Sequence, residues 1–238
     1  MGTVFSFDVR GGDGRRVGAA LLAAAAWLRR VDEVFSPYRP ESRLSLLAAG
    51  RLPLSACGPE LPEVLALCEA AGRLSGGWFS TRYAGGLDPT GLVKGWAVER
   101  AAAMLASAGA DAVCVNGGGD VQVHGGPWRI GVADPLRPGG LLAVVPVGTA
   151  DGERAVATSG TAERGAHILD PHTGRPPADA PASVTVVCRG LTDADVRATA
   201  AYAMGTARAR RWLDGLPDTE ALIVAADGRT WRTAGFGA

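Results

Sequence analysis

Ala112-Val113-Cys114-Val115-Asn116-Gly117-Gly118-Gly119-Asp120-Val121-Gln122-Val123 and, five residues on, Trp128-Arg129-Ile130-Gly131-Val132 decide the fold. Ala112–Val115, Val121–Val123 and Trp128–Val132 are short apolar runs, rich in β-branched residues and bounded by Gly, Asn and Pro. Runs of that length and composition read as strands. Leu141–Val147 and Val184–Cys188 add two more, and Leu222–Ala225 a last one. Ahead of this cluster Val4–Val9 alternates as a strand. Val17–Phe35 has helical spacing and stops before Pro37. Pro59–Leu74 ends at Gly76-Gly77, and Gly95–Ala108 ends at Gly109. After it come helices over Asp193–Met204 and Thr206–Leu213. Helices come early and strands cluster in the middle, without the regular alternation of a doubly wound sheet. The expectation is an α+β fold, one domain over 1–238, with a mixed or antiparallel sheet and flanking helices.

Composition narrows the function classes. The chain has 238 residues, 47% hydrophobic and 20% charged, an ordinary globular balance. Lys+Arg and Asp+Glu are 24 each, so nothing favours nucleic acid or an anionic membrane surface. Leu21–Leu28 is too short to span a bilayer, and no charged-apolar-small leader opens the chain. The expectation is a soluble, cytoplasmic protein that neither inserts in a membrane nor binds nucleic acid. Four cysteines without a C-x-x-C pair suit neither zinc nor a disulfide framework. Cys114 and Cys188 lie in apolar runs and read as small buried hydrophobes. Among the 24 basic residues only Lys94 is not Arg. In an Ala-, Gly- and Arg-heavy chain, such a residue marks a place where Arg does not substitute, or a chance survivor.

Four polar segments interrupt the apolar elements. Gly86-Leu87-Asp88-Pro89-Thr90-Gly91-Leu92-Val93-Lys94-Gly95 is a glycine-rich turn entering a helix, a setting that favours anions. Trp96 breaks the Walker A spacing. Asn116–Asp120 reads as a hairpin turn and lacks the dinucleotide-binding glycine spacing. Thr158-Ser159-Gly160 and His167–Gly174 collect hydroxyls, a His and an Asp, but no nucleophile elbow supports a Ser159-His167-Asp170 triad. Asp195 and Thr199 fall four apart on one helix face and offer oxygens to a hard cation. Locally the stronger reading is a capping-box-like helix start from Thr192 and Asp195, which needs no metal, and the two roles are compatible.

In order along the chain these segments resemble the motifs of the FAD:protein FMN transferase, or ApbE, family. Met1-Gly2-Thr3 is similar to its opening strand motif, and Phe35–Ser42 to its Tyr-Arg-Pro-Asp-Ser segment. Leu87–Val98 is similar to its Asp-x-x-Gly-x-x-Lys-Gly stretch, and Asn116–Asp120 to its Gly-Gly-Asp turn. Thr158–Gly160, His167–Gly174 and Asp195–Thr199 are similar to its last three motifs. The resemblance implies an α+β fold that binds FAD and Mg²⁺ and moves FMN from FAD to a threonine hydroxyl of an acceptor flavoprotein, releasing AMP. It implies metal ligation by the Gly91 carbonyl, Asp195 and Thr199. It implies FAD contacts from Met1, Tyr38, Trp78, Phe79, Ser80, Asp88, Lys94 and Ile168. Asp120 would lie beside FAD, and His167 and Asp170 would be the catalytic candidates. The chain departs from the family at Gly77-Trp78-Phe79-Ser80, where Ser80 replaces a carboxylate, and in a shortened segment before Asp88. Two alternatives stay open: an FAD pyrophosphatase, with water in place of the acceptor hydroxyl, and a protein that binds FAD without turning it over, which Ser80 and the shortened segment favour.

Overall fold

The computed structural model describes residues 2–83, 86–147, 152–160 and 168–237. Seven strands form one antiparallel sheet in the order β1 (Phe5–Arg10), β4 (Ala112–Gly117), β5 (Asp120–His124), β8 (Glu153–Gly160), β9 (Ser183–Cys188), β10 (Glu220–Val224) and β11 (Thr230–Arg232). Side chains alternate across each strand, so the sheet has two faces. Val113, Val115, Ala155, Ala157, Val184 and Val186 point to one face and form a core with α4 (Thr90–Ser107) and α5 (Leu191–Met204). Val121, Val123, Val156 and Val187 point to the other, where the hairpin β6 (Trp128–Ala133) and β7 (Leu141–Val147) covers them. Strand β9 is buried along its whole length, as a central strand covered on both faces must be.

A second helical layer lies outside α4. It consists of α1 (Gly14–Phe35), α2 (Arg43–Ala48) and α3 (Glu60–Leu74). Asp13 caps α1 by accepting from the Arg15 and Arg16 amides, at 2.9 and 3.1 Å. Trp96 of α4 meets Trp27 and Phe35 of α1 edge to face, which joins the layers. The short strands β2 (Arg82–Tyr83) and β3 (Gly86–Leu87) lead into α4, and α6 (Thr206–Asp214) follows α5. Among the described residues no helix is long and apolar enough to cross a membrane. All four cysteines are free thiols. Cys188 is buried as expected, whereas Cys114 is only half buried because it faces the sheet surface that the hairpin leaves partly open.

The structure corrects several expectations. Helix α4 starts at Thr90, not Gly95, so Gly91 and Lys94 sit in its first turns. The Asp88 carboxylate accepts from the Thr90 amide at 2.9 Å and starts the helix ahead of the glycines. Strand β8, not among the strands expected from the sequence, ends in Thr158-Ser159-Gly160. The capping box at Thr192 and Asp195 is absent. Gly190 is the N-cap without a side-chain bond, the Thr192 amide donates to Glu99 at 2.7 Å, and the Asp195 carboxylate reaches another helix. Asn116–Asp120 is the expected hairpin: Gly118 and Gly119 have φ of 58° and 88°, as a two-residue primed turn requires.

Candidate functional site

A cavity of about 400 Å³ opens where β5 stops short and β8 and β9 run on. Helices α4 and α5 wall one side with Gly91, Lys94, Asp195 and Thr199. Phe79, Ser80 and Asp88 close that side from the segment before α4. The β6 end and its following turn, Gly131–Pro135, wall the other. Strand parity distributes the hydroxyls. Ser159 points to the helices, 3.3 Å from Thr199 Oγ1, and Thr158 points to the hairpin side, 2.9 Å from Thr185 Oγ1.

Charge is concentrated on the helix side. Asp120 is 1% exposed, and its two oxygens do different work. Oδ1 accepts from the Thr158 amide at 2.9 Å, and Oδ2 pairs with the Lys94 ammonium. Lys94 Nζ also lies 3.9 Å from Asp195 Oδ2. A compact ammonium thus stands between two buried carboxylates from different elements, which gives the one lysine of the chain a physical reason to be there. Removing one member of such a buried pair typically costs about 3–5 kcal/mol, because the other charge is left without compensation.

The crossing of α4 and α5 sets the oxygens. The Gly95 amide donates to Asp195 Oδ2 at 3.1 Å. In an α-helix that amide also serves the carbonyl four residues back, which is Gly91. Thr199 lies one turn after Asp195 on the same face. Its methyl is 3.9 Å from the place a Cβ on Gly91 would occupy, and Ser159 approaches from β8. One carboxylate, two hydroxyls and one main-chain carbonyl therefore converge. Among the described residues there is no group of three or more His, Cys, Asp or Glu placed for a metal. The converging donors are all oxygens, the set a hard cation such as Mg²⁺ takes alongside a substrate phosphate, so these residues fit that ion.

The cavity brings together Phe79, Ser80, Asp88, Gly91, Lys94, Asp120, Ile168, Asp195 and Thr199 of the expected site residues. It leaves out three. Tyr38 is 88% exposed and lies off the cavity wall. Trp78 packs edge-on to His172, with ring centres 4.6 Å apart, under the Arg208 guanidinium. Asp170 holds a turn: its carboxylate accepts from the His172 amide at 2.8 Å, and its own amide donates to the Arg175 carbonyl. Met1 and His167 lie outside the described residues.

The profile of the ApbE family matches residues 80–223, more than half of the chain, a stretch that includes every residue lining the cavity except Phe79. The chain belongs to the ApbE family. Among curated ApbE-type relatives, the FAD:protein FMN transferase of Vibrio cholerae serotype O1 is 33% identical over 135 residues, covering 51% of this chain and 40% of that protein. The enzyme of the same name from Treponema pallidum is 30% identical over 171 residues, covering 63% and 46%. The matched part thus spans less than half of these relatives' length. The solved flavin transferase ApbE from Vibrio cholerae superposes with a TM-score of 0.82 at 21% identity, over 99% of this chain and 95% of that one. The apo flavinyl transferase ApbE of Pseudomonas stutzeri gives 0.79 at 21%, over 99% and 97%. At that identity the likeness establishes the ApbE fold.

The hairpin-side wall was not expected from the sequence. Asp134 is buried there and accepts from the Leu136 amide at 3.0 Å and from Arg137 Nε at 2.9 Å. The Leu136 bond, aided by Arg137, holds its carboxyl below the ordinary carboxylate range. Ser183 also lines the cavity, and its buried hydroxyl lacks a hydrogen-bond partner among the described residues. Asp134-Pro135 after a strand and Ser183 opening one were the available signals. Both look like ordinary turn and strand-end residues.

Proposed function

We propose that this chain is an Mg²⁺-dependent flavin transferase that moves FMN from FAD to a threonine hydroxyl of an acceptor flavoprotein and releases AMP. One observation carries the reading: Lys94, Asp120, Asp195, Thr199 and the Gly91 turn converge in a single cavity, inside the stretch matched by the family profile. The curated relatives bear the name of this activity.

In the transfer the acceptor hydroxyl oxygen forms a bond to the flavin-side phosphorus of FAD. The bond from that phosphorus to the bridging oxygen breaks, and its electron pair leaves with AMP. The hydroxyl proton is passed to solvent or to the departing phosphate. The pyrophosphate is the charged part of FAD and belongs on the charged side of the cavity. Gly91 presents main-chain polar groups without a side chain in the way, and Lys94 supplies a fixed cation. Asp120 orients that cation and is itself oriented by the Thr158 amide. Asp195, Thr199 and the Gly91 carbonyl would hold Mg²⁺, with Ser159 bracing the Thr199 hydroxyl. When bound, Mg²⁺ supplies neutralisation of the pyrophosphate oxygens and so lowers the barrier to attack. Phe79, Val132 and Ile168 supply apolar surface for a ring of the dinucleotide.

The test is incubation with FAD, Mg²⁺ and a purified candidate acceptor, read by intact mass and by AMP release, with a chelator arm. A gain of one FMN on the acceptor, lost with chelator, is expected. AMP and FMN without a protein adduct would make the chain a pyrophosphatase, and bound but intact FAD a binding protein.

A further inference from the structure

A second concavity, of about 390 Å³, lies between β6 and the β1–β4–β5 part of the sheet. Its polar lining comes from Ser6, Asp8, Cys114, Asn116 and Arg129, with Ile130 alongside. Gly119 and Gly131 belong to its wall and to that of the main cavity, so the two spaces meet at these side-chain-free positions.

Strand β6 borders this groove with an unused edge. It pairs with β7 on one side, and among the described residues no strand pairs with it on the other. Arg129 stands opposite Pro146. Proline has no N–H, so this pair cannot exchange two hydrogen bonds and must be a non-hydrogen-bonded pair. In such a pair both residues turn their N–H and C=O away from each other. Gly131, opposite Val144, has the same parity. Arg129 and Gly131 therefore direct four main-chain polar groups toward the free edge. They stand about 6.6 Å apart along the strand, the repeat of a partner strand. The Arg129 side chain has no ion-pair or hydrogen-bond partner among the described residues. The nearest acid in the groove, Asp8, is already engaged by Arg10 at 2.9 Å. Arg10 in turn lies over the Trp128 ring.

We propose that this groove docks the acceptor. An extended, acidic segment of the acceptor polypeptide adds as a strand to the β6 edge at Arg129 and Gly131. It delivers its hydroxyl to the main cavity past Gly119 and Gly131, the wall the two spaces share. The proposal rests on the transferase reading above. Main-chain pairing supplies affinity without demanding a sequence, and Arg129 selects acidic flanks.

The probes are twelve-residue peptides with one central threonine and flanks that are acidic, neutral or basic. Two readouts are taken on the full chain with FAD and Mg²⁺: amide hydrogen exchange over residues 128–133, and FMN addition to the peptide by mass. With acidic flanks, exchange at 128–133 slows and FMN addition is fastest. Arg129→Glu and Arg129→Pro each cut transfer to that peptide at least tenfold, and Arg129→Glu shifts the preference toward basic flanks. FAD binding, read by fluorescence titration without peptide, is unchanged in both. Wild-type transfer by both variants, or no protection of 128–133, overturns the proposal. FMN addition without protection removes the groove and keeps the transferase reading. Protection without FMN addition keeps the groove and removes that reading, and neither signal removes both.

Discussion

Gly95→Ala tests whether the α4–α5 crossing is as close as the site requires. A Cβ on Gly95 would sit 2.6 Å from the Leu191 carbonyl oxygen and 2.9 Å from Asp195 Cβ. Both distances are below contact, and neither atom is the free end of a flexible side chain. In a helix interior alanine is favoured over glycine by about 1 kcal/mol. Overpacking of a close contact costs about 1–3 kcal/mol, and here two contacts must be relieved by backbone movement. These two terms net to a destabilisation of up to about 2 kcal/mol, or up to roughly 8 °C in melting temperature for a chain this long. The same movement pulls the Gly95 amide from Asp195 Oδ2, a hydrogen bond to a charged group worth about 1.5–3 kcal/mol, so turnover falls about tenfold or more. Gly18→Ala is the control. It lies within α1, with nothing within 4 Å of its added Cβ, and should gain about 0.4–1 kcal/mol. Thermal melts and AMP release measured on both variants decide the matter. If Gly95→Ala melts as high as Gly18→Ala and turns over FAD like the unaltered chain, the crossing is not tight and the geometry argued from it fails.

Lys94→Arg should impair FAD binding or turnover at least about tenfold at unchanged fold, because a planar guanidinium does not fit where the ammonium meets Asp120 and Asp195; flavin titration and steady-state kinetics check this. Tyr38→Ala should leave the melting temperature unchanged, since the ring is exposed, and weaken FAD binding in a fluorescence titration if the ring covers the cofactor as the family resemblance implies; unchanged affinity removes Tyr38 from the site. Burial lowers the pKa of His124 below its ordinary value, against the opposing pull of Glu153 at 3.6 Å and of Glu99. Its neutral form is therefore favoured in the folded state, and that stability is fully present above about pH 6.5 and lost as pH falls through the lowered folded value. Denaturant midpoints measured from pH 7.5 down to 5 should fall less steeply for His124→Gln.

Local chemistry was legible where it is short-ranged. Asn116–Asp120 announced a hairpin because glycines at two positive-φ positions have few other uses, and Lys94 stood out by composition alone. Helix α4 was misjudged at its start because Gly91 and Gly95 are poor helix formers. Both are there for tertiary reasons: Gly91 faces Phe79 and Thr199, and Gly95 faces Leu191 and Asp195. The local cap reading of Asp195 fails because its carboxylate accepts from the Gly95 amide, a partner one hundred residues away that no local pattern could reveal. Strand β8 was obscured by its end, Thr158-Ser159-Gly160, whose hydroxyls look like loop chemistry until Thr185 and Thr199 are seen to receive them. The hairpin-side wall at Asp134 and the free edge of β6 depend wholly on packing and pairing.

The central claim is that Asp195 serves a cation-dependent reaction in the cavity and not the stability of its own helix. Asp193 and Asp195 lie on the same helix, yet the Asp193 side chain is 64% exposed and paired with Arg197, while Asp195 is buried at the cavity. AMP release from FAD with Mg²⁺ and acceptor, measured beside a thermal melt for Asp195→Ala and Asp193→Ala, tests the claim most directly. The account predicts that Asp195→Ala loses Mg²⁺-dependent turnover and remains folded, and that Asp193→Ala keeps it. An Asp195→Ala protein that melts earlier but turns over FAD at the unaltered rate with Mg²⁺ would contradict it.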